Sequence, residues 1–357
     1  MEQLLLWIFK VKQKNLASSS TVRSLPMKTA IKTTFRLSLL AGLIASTSVI
    51  AADKVTFQLD WLPGGDKAPV YVGIQQGFFA DEDLEVKIAS GRGSTDALTK
   101  MATGQSDIGS SDIGALMAAR AQDDVPVVAV LPYFTQAPHA FFALKSSGIE
   151  SIKDLKGKKV ATSPFTSSNA FLPLVLKQNG LKESDIQLVK SDPGALSPMM
   201  ITGNTDAIIA WVTNTALFKA QAESAGKEII EMPWSNSGLS LYSSSLLASE
   251  RFLEERPDVA KRFIKAFAKS IEFSYQYPDK AGEDLHKMVP EVDAAIVSAQ
   301  LKSITNLVYN DVTKEDGVGH FTPARIQKTW AYVAEVNGLT MDALDPATTV
   351  NSNFVPE

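Results

Sequence analysis

From Val55 onward, the chain alternates short apolar runs with segments in which apolar residues recur every three or four positions. The first such pair is "VTFQL" and "APVYVGIQQ", and the second is "LEVKIAS" and "STDALTKMATG". The short runs predict strands, and the periodic segments predict helices. Because strands alternate with helices of about 8–12 residues, the pattern predicts βαβ units and a mostly parallel sheet flanked by helices.

A second set of alternating elements begins at "SIKDLKGKKVATS", after "HAFFALKS" is predicted to end the first set as its last strand. From Glu250 onward the pattern is mostly helical. We therefore expect an α/β protein of two lobes, with hinges near residues 144–152 and 233–241. The expected division is an upstream extension plus signal peptide at 1–51, a first lobe made of 52–146 and 238–357, and a second lobe at 147–237.

One short motif occurs once in each set of elements. Residues 103–107 and 202–206 share the sequence Thr-Gly-x-Ser/Thr-Asp. A predicted helix precedes each copy and a predicted strand follows it. The repeat indicates two lobes of similar construction, and it aligns Asp112 of the first lobe with Trp211 of the second.

The first 51 residues have the pattern of an export signal. A basic stretch begins at Met27-Lys28, and an uncharged run covers residues 37–50. Val49-Ile50-Ala51 supplies small residues at the positions that a signal peptidase reads. The run is shorter than the roughly 20 apolar residues that span a bilayer as a helix. We expect cleavage near Ala51 and a periplasmic protein.

Charge and composition exclude several classes of function. Seven of the 35 basic residues but only one of the 39 acidic residues lie in residues 1–51, so the remainder has a formal charge of −10. That charge disfavours a nucleic-acid partner. The absence of cysteine excludes a lipid-anchored N-terminal cysteine and thiolate chemistry. The three histidines are far apart in the sequence, so neither a metal site nor a cofactor is expected.

Four phrases, in order over about residues 55–336, indicate a family. They are "LDWLPGGDKAPVYVGIQQGFFADEDLEV", "GRGSTDALTKMATGQSDIG", "SIKDLKGKKVAT" and "MMITGNTDAIIAW". The chain resembles the periplasmic solute-binding proteins of ABC importers, in the group that binds nitrate, sulfonates, taurine and thiamine-pyrimidine precursors. The resemblance implies the type II periplasmic binding protein fold, in which two lobes, each a mostly parallel sheet flanked by helices, hold the solute in the cleft between them.

Within this group, the Asp-Trp-x-Pro opening at Asp60 is most similar to the pyrimidine-precursor binders and to the enzyme that makes such a pyrimidine. Those relatives tend to have a histidine where this chain has Lys67.

Ligands of parallel α/β sheets bind beyond the carboxyl ends of the strands, at helix N-termini. Three of the segments that join a predicted strand end to the next helix have runs of Ser and Thr, in "GRGSTDAL", "GSSDIGAL" and "TSPFTSSNAF". Their N–H and hydroxyl groups suit an anionic or carbonyl-rich solute, and the same residues are also common N-caps. The candidate ligand-binding residues are Asp60, Trp61, Lys67, Gly93, Ser94, Thr95, Ser111, Asp112, Phe165, Thr166, Ser167, Ser168, Asn169, Trp211 and Asn214.

For three of these candidates, the sequence allows both a structural role and a ligand-binding role. Trp61 and Trp211 end predicted strands of opposite lobes, where they either cover the core or hold a flat ring between them. Lys67 begins a helix, where a cation opposes the helix dipole and needs a partner. We expect its ammonium to be exposed to water, with either Asp66 or an anionic group of the ligand as that partner.

These features favour a binding protein without catalytic activity. It would be the extracytoplasmic component of an ABC importer that captures a small organic solute and delivers it to a membrane permease and its ATPase. A heteroaromatic solute such as a thiamine pyrimidine precursor is favoured, and an alkyl or aryl sulfonate, taurine or a nitrate-like anion is the alternative.

An enzyme similar to the pyrimidine-precursor synthase is disfavoured, because the resemblance implies a cysteine-rich motif in that enzyme. A hydrolase is not expected either, because the sequence pattern pairs no serine with a histidine and an aspartate. The protein is expected to be a monomer.

Overall fold

The computed structural model describes residues 51–355, which form two five-stranded sheets flanked by helices. The predicted signal peptide lies outside the described residues, apart from its last position. The strands are β1 (Asp53–Gln58), β2 (Leu84–Ala89), β3 (Ile108–Asp112), β4 (Val127–Pro132), β5 (His139–Leu144), β6 (Lys159–Thr162), β7 (Gln187–Lys190), β8 (Ala207–Trp211), β9 (Ile229–Pro233) and β10 (Ser244–Ser249).

The helices follow the segments with three-to-four-residue periodicity. They are α1 (Ala68–Gln75), α2 (Ser94–Ala102), α3 (Ile113–Arg120), α4 (Ser168–Gln178), α5 (Pro193–Ile201), α6 (Thr215–Ser224), α7 (Glu250–Glu255), α8 (Pro257–Gln276), α9 (Pro278–Met288), α10 (Ala294–Ser303), α11 (Thr305–Val308), α12 (Asp311–Asp316) and α13 (Pro323–Asn337). None of the helices in the described range is long and apolar enough to cross a membrane.

The two sheets have the same construction. The strand order is β2-β1-β3-β10-β4 in the first and β7-β6-β8-β5-β9 in the second. In each sheet the fourth strand, β10 or β5, is antiparallel to both of its neighbours. The remaining strands run parallel to one another, so the predicted α/β fold of two mostly parallel lobes is confirmed.

The repeated motif ties corresponding strands together. Asp107, which precedes β3, accepts a hydrogen bond on Oδ2 from the backbone N–H of Thr56 in β1 at 2.7 Å. Asp206 accepts the same bond from the N–H of Lys159, also at 2.7 Å. The motif therefore has a structural role, which is to fix the third strand of each sheet against the second.

The structure differs from the prediction at one strand. The run "HAFFAL" is β5, which lies in the second sheet between β8 and β9 and not at the end of the first. The chain consequently crosses between the lobes at residues 133–138, and not near 144–152. The chain returns to the first sheet over residues 234–243, and the hinge near 233–241 stays a prediction. A buried apolar strand fits either sheet equally well, so its local sequence could not decide the assignment.

Aromatic packing fixes the first lobe, and one C-terminal helix joins both lobes. Phe57 of β1 packs against Phe263 and Phe267 of α8, with ring centres 6.0 and 5.5 Å apart. On α13, the buried Trp330 belongs to the same apolar cluster as Phe171 of α4 and the core of α3. This helix was predicted to return to the first lobe, and it packs against both.

Candidate functional site

A small cavity lies between the lobes at the carboxyl ends of β1 and β8. The residues that line it are Asp60, Trp61, Asp66, Gly93, Ser94, Thr166, Ala210, Trp211, Thr213 and Asn214. All but Asp66, Ala210 and Thr213 are among the residues proposed from the sequence. The free space inside is about 10 Å³, the room of a single water molecule. Because pockets for small organic ligands measure about 300–1,000 Å³, the cleft is closed in this structure.

Lys67 lies behind two of these lining residues in a buried cluster of ion pairs. Its Nζ is 2.5 Å from Asp60 Oδ1 and 2.9 Å from Asp66 Oδ2, and its side chain is fully buried. The expectation that this ammonium is exposed to water is therefore wrong, and Asp66 is one of its partners. The turn is anchored by Gln300, whose Oε1 accepts a hydrogen bond from the N–H of Gly65 at 2.8 Å.

The Lys67 ammonium keeps its charge in this cluster. Burial disfavours the charged form of Lys67, but attraction by Asp60 and Asp66 outweighs it and raises the pKa of Lys67 well above its usual value. Burial also raises the pKa of Asp66, and the neighbouring ammonium opposes that rise. Two protein carboxylates therefore surround this ammonium and are its partners within the fold.

Trp61 and Trp211 both form walls of the cavity, but they differ in burial. Trp211 is 8% exposed and belongs to the main core cluster, whereas Trp61 is only partly buried and packs against the second lobe. Lys67 Nζ lies 5.3 Å from the Trp211 ring centre, a cation–π distance. The buried Nε1 of Trp211 has no hydrogen-bond partner within the described chain. Trp211 is therefore both a core residue and a wall of the cavity, with a free N–H donor.

The Ser, Thr and Asn candidates at the helix starts differ in whether they line the cavity. Ser94 and Thr166 line the cavity. Ser111 is buried behind Ser94 and donates a hydrogen bond to its carbonyl at 3.1 Å. Ser167 is buried, and its Oγ has no partner in the part of the chain that the structure describes. Asn169 accepts a hydrogen bond from a threonine hydroxyl of β6 at 2.9 Å, which makes it a structural residue here.

Two loops meet across the cleft and hold it closed. The carbonyl of Phe165 accepts hydrogen bonds from the N–H and the Oγ1 of Thr95, each at 3.1 Å. Ser163 Oγ donates to the carbonyl of Arg92 at 2.9 Å, and the Arg92 guanidinium lies 4.7 Å from the Phe165 ring centre. Gly93 has a φ of +153°, and a Cβ on it would lie 2.2 Å from the Phe165 backbone. Only glycine permits this close approach.

His139 is a residue of this region that sequence reasoning missed. Its Nδ1 is 2.9 Å from Ser168 Oγ, and its Nε2 is 3.9 Å from Asp112 Oδ2. The same carboxylate oxygen accepts a hydrogen bond from Ser243 Oγ at 2.5 Å. Asp112 Oδ1 caps α3 by accepting from two backbone N–H groups. A histidine at the start of the apolar run "HAFFAL" was the available signal, but its partners are distant in sequence.

This Ser–His–Asp set is buried, and it is not placed to attack a substrate. Burial raises the pKa of Asp112 to about 6 and lowers the pKa of His139 to about 3. At neutral pH the carboxyl is therefore ionised and the imidazole is neutral. The side chains of Ser168, His139 and Asp112 are fully buried, and none of them lines the cavity.

Known proteins are similar to this chain over most of its length. The formylaminopyrimidine-binding protein of Halalkalibacterium halodurans is 26% identical over 266 residues, which cover 72% of this chain and 79% of the relative. The 4-amino-5-hydroxymethyl-2-methylpyrimidine phosphate synthase of Legionella pneumophila is 24% identical over 284 residues, which cover 75% of this chain and 85% of the relative.

A solved structure shows the same fold. The periplasmic aliphatic sulphonate binding protein SsuA from Escherichia coli aligns with a TM-score of 0.65 at 17% identity, over 86% of this chain and 94% of that one. The family model "NMT1/THI5 like" matches residues 65–281, which is more than half of the chain. That range includes both crossings between the lobes. This chain therefore belongs to the NMT1/THI5-like family, in agreement with the resemblance carried by its ordered sequence phrases.

Proposed function

We propose that this protein is the extracytoplasmic solute-binding component of an ABC importer, and that its solute is a neutral or positively charged heteroaromatic compound such as an aminopyrimidine. The solute binds between the two lobes and is delivered to a membrane permease and its ATPase. The relative named as a formylaminopyrimidine-binding protein supports the binding role, and the fold of a periplasmic neighbour supports a location outside the cytoplasm.

The acidic lining of the cavity is the observation that favours this class of solute. Asp60 and Asp66 line it, and no Lys, Arg or His is among the described residues that do so. In a poorly hydrated site, a carboxylate attracts an amino group or a ring N–H and repels an anion. Trp61 and Trp211 offer flat apolar surface to an aromatic ring. The site therefore suits a ring that donates hydrogen bonds.

The alternative solute is a sulfonate, taurine or a nitrate-like anion. Lys67 lies next to the cavity wall, with its Nζ 5.3 Å from the Trp211 ring centre, and its ammonium is already paired with Asp60 and Asp66. An anion that recruited it would leave two buried carboxylates without their partner, a change that costs several kcal/mol. This cost favours the heteroaromatic solute.

We infer that the protein binds its solute without converting it chemically. Three relatives are named as synthases of a pyrimidine phosphate, so an enzyme of that kind is the alternative from another class. The resemblance implies a cysteine-rich motif in the pyrimidine-making enzyme, and this chain has no cysteine. A pyrimidine-making enzyme would form new product, so incubation of the purified protein with the protein-free small-molecule fraction of a cell extract should yield no aminopyrimidine beyond a control without the protein, by mass spectrometry; new aminopyrimidine would overturn this inference.

A thermal-shift screen tests the proposed solute class. Matched compounds are 4-amino-2-methylpyrimidine and its 5-sulfonate, with taurine and an alkyl sulfonate beside them. A ligand that binds only the folded protein adds about 2.7 kcal/mol of stability at 100 times its Kd, so the neutral pyrimidine should raise the melting temperature by several degrees. A rise with the sulfonates and none with the neutral ring would overturn the proposal.

A further inference from the structure

A larger groove adjoins the cavity and shares part of its wall. This outer groove has a volume of about 410 Å³ and lies between residues 61–66 and 289–300 of the first lobe and the helices α5 and α6 of the second. Trp61, Asp66 and Asn214 line both spaces. The inner cavity and the outer groove are therefore adjacent, and Trp61 lies on the wall between them.

The walls of the outer groove are largely apolar. The apolar side chains on it are Leu62, Leu217, Phe218, Val289, Val292 and Ile296. Leu62 is 43% exposed, and its Cδ1 lies 4.0 Å from where a Cβ on Gly194 would be. A leucine of the first lobe thus faces a helix start of the second lobe across the groove. Of these side chains Leu62 is exposed, Phe218 is buried and the others are partly buried, so an occupant of the groove would meet apolar walls from both lobes.

The charges on the outer groove all have one sign. Asp66, Glu291 and Asp293 line it, and the described lining residues include no Lys, Arg or His. Asp293 is partly engaged, because its Oδ1 caps α10 by accepting from the N–H groups of Ala295 and Ile296 at 2.8 and 3.1 Å. An occupant with negative charge would be repelled along the whole length of the groove.

We propose that the outer groove is a second subsite, which holds an apolar substituent, uncharged or positively charged, on the ring bound in the inner cavity. The inference rests on the proposed function and extends it, because it assigns a place to the part of the solute that the inner cavity cannot hold. The substituent contacts both lobes, so it also stabilises the closed cleft.

Titration calorimetry on the full chain with matched probes tests this subsite. The probes are 4-amino-2-methylpyrimidines that carry at position 5 a methyl, a butyl, a 4-aminobutyl or a 3-carboxypropyl group. Each buried methylene contributes about 0.8 kcal/mol, so the butyl probe should bind at least about tenfold more tightly than the methyl probe. The carboxypropyl probe should be the weakest of the three long-chain probes.

Two variants separate this subsite from the inner cavity. Gly194→Leu places a side chain in the groove: Gly194 is not at a positive φ, so a Cβ causes no backbone strain, and the nearest heavy atom to that Cβ is 4.0 Å away. It should remove the advantage of the butyl chain and leave the affinity of the methyl probe unchanged. Glu291→Lys should weaken the aminobutyl probe and strengthen the carboxypropyl probe, each severalfold at low salt. The control is Glu254→Lys, an exposed acid that lines neither space.

The outcomes distinguish the two claims. If no pyrimidine binds at all, the proposed function fails and the subsite fails with it. If the methyl probe binds but the longer chains add nothing, or if Gly194→Leu weakens methyl and butyl probes equally, the proposed function stands and the second subsite is wrong.

Discussion

At the scale of single residues, the buried lysine decides what the cleft can bind. The sequence places Lys67 in a polar turn at a helix start, and such a position is ordinarily solvated. Tertiary contacts bury it between Asp60 and Asp66, and Gln300, which holds the turn, comes from a helix more than 230 positions away. The partner Asp66 could be predicted because it is adjacent. The burial could not, because it depends on contacts between distant segments.

The first prediction concerns Lys67→Met, which removes the ammonium and keeps much of the side-chain volume. Because it leaves two buried carboxylates unpaired, the free energy of unfolding should fall by about 3–5 kcal/mol. Urea denaturation measures the change. The control is Lys145→Ala, whose exposed ion pair with Glu228 should contribute little to stability. Equal small losses in both variants would contradict the cluster as described.

The second prediction concerns the pH dependence of stability at Asp112. Burial raises its pKa to about 6 from an ordinary value of 3.8, so the folded protein takes up a proton on acidification before the unfolded chain does. This contribution to stability is present below the unfolded pKa and is lost as the pH rises through 6. Relative to Asp112→Asn, the wild type should therefore gain about 2 kcal/mol between pH 7 and pH 4.

His139 supplies the comparison of opposite sign. Burial lowers its pKa to about 3 from 6.5, so the unfolded chain takes up the proton first. Relative to His139→Gln, the wild type should lose about 3 kcal/mol over the same pH interval. Denaturation curves of the three proteins at pH 7 and pH 4 measure both slopes. Parallel slopes in the wild type and both variants would show that neither group is buried as described.

At the scale of elements, the periodicity of the chain predicts most strands and helices correctly, because each is encoded locally. The tips at Asp60, Ser94, Thr166 and Trp211 follow from that, since the ends of parallel strands meet at one edge of a sheet. The meeting of the loops at Gly93 and Phe165 could not be predicted, because it joins segments of different lobes.

The third prediction concerns Gly93→Ala at this loop contact. The new Cβ would lie 2.2 Å from the Phe165 backbone in the closed cleft, so the lobes could not close fully and affinity for the pyrimidine probe should fall at least about tenfold. The control is Gly77→Ala, which also places alanine at a positive φ, +78°, but meets no atom within 4 Å. Both variants should lose roughly 1–2 kcal/mol of stability through backbone strain. Unchanged affinity in the Gly93 variant would show that this contact does not belong to the bound state.

At the scale of the whole molecule, the cleft between the two lobes is closed, so the lobes must separate before a solute can bind. The inner cavity has room for about one water molecule, so a ring can enter only after the lobes separate. We propose that the lobes turn about the crossings at residues 133–138 and 234–243, where the chain passes from one sheet to the other. Because the closed cavity has no room for a ring, we propose that the bound state is partly closed, with the lobes nearer together than in the open state.

Small-angle X-ray scattering of the purified protein, with and without saturating 4-amino-2-methylpyrimidine, tests this account most directly. The unliganded protein should have a larger radius of gyration than the closed structure, and the ligand should reduce it toward the closed value. The account would be contradicted if the unliganded curve already matched the closed structure and did not change at a ligand concentration that calorimetry shows to be saturating.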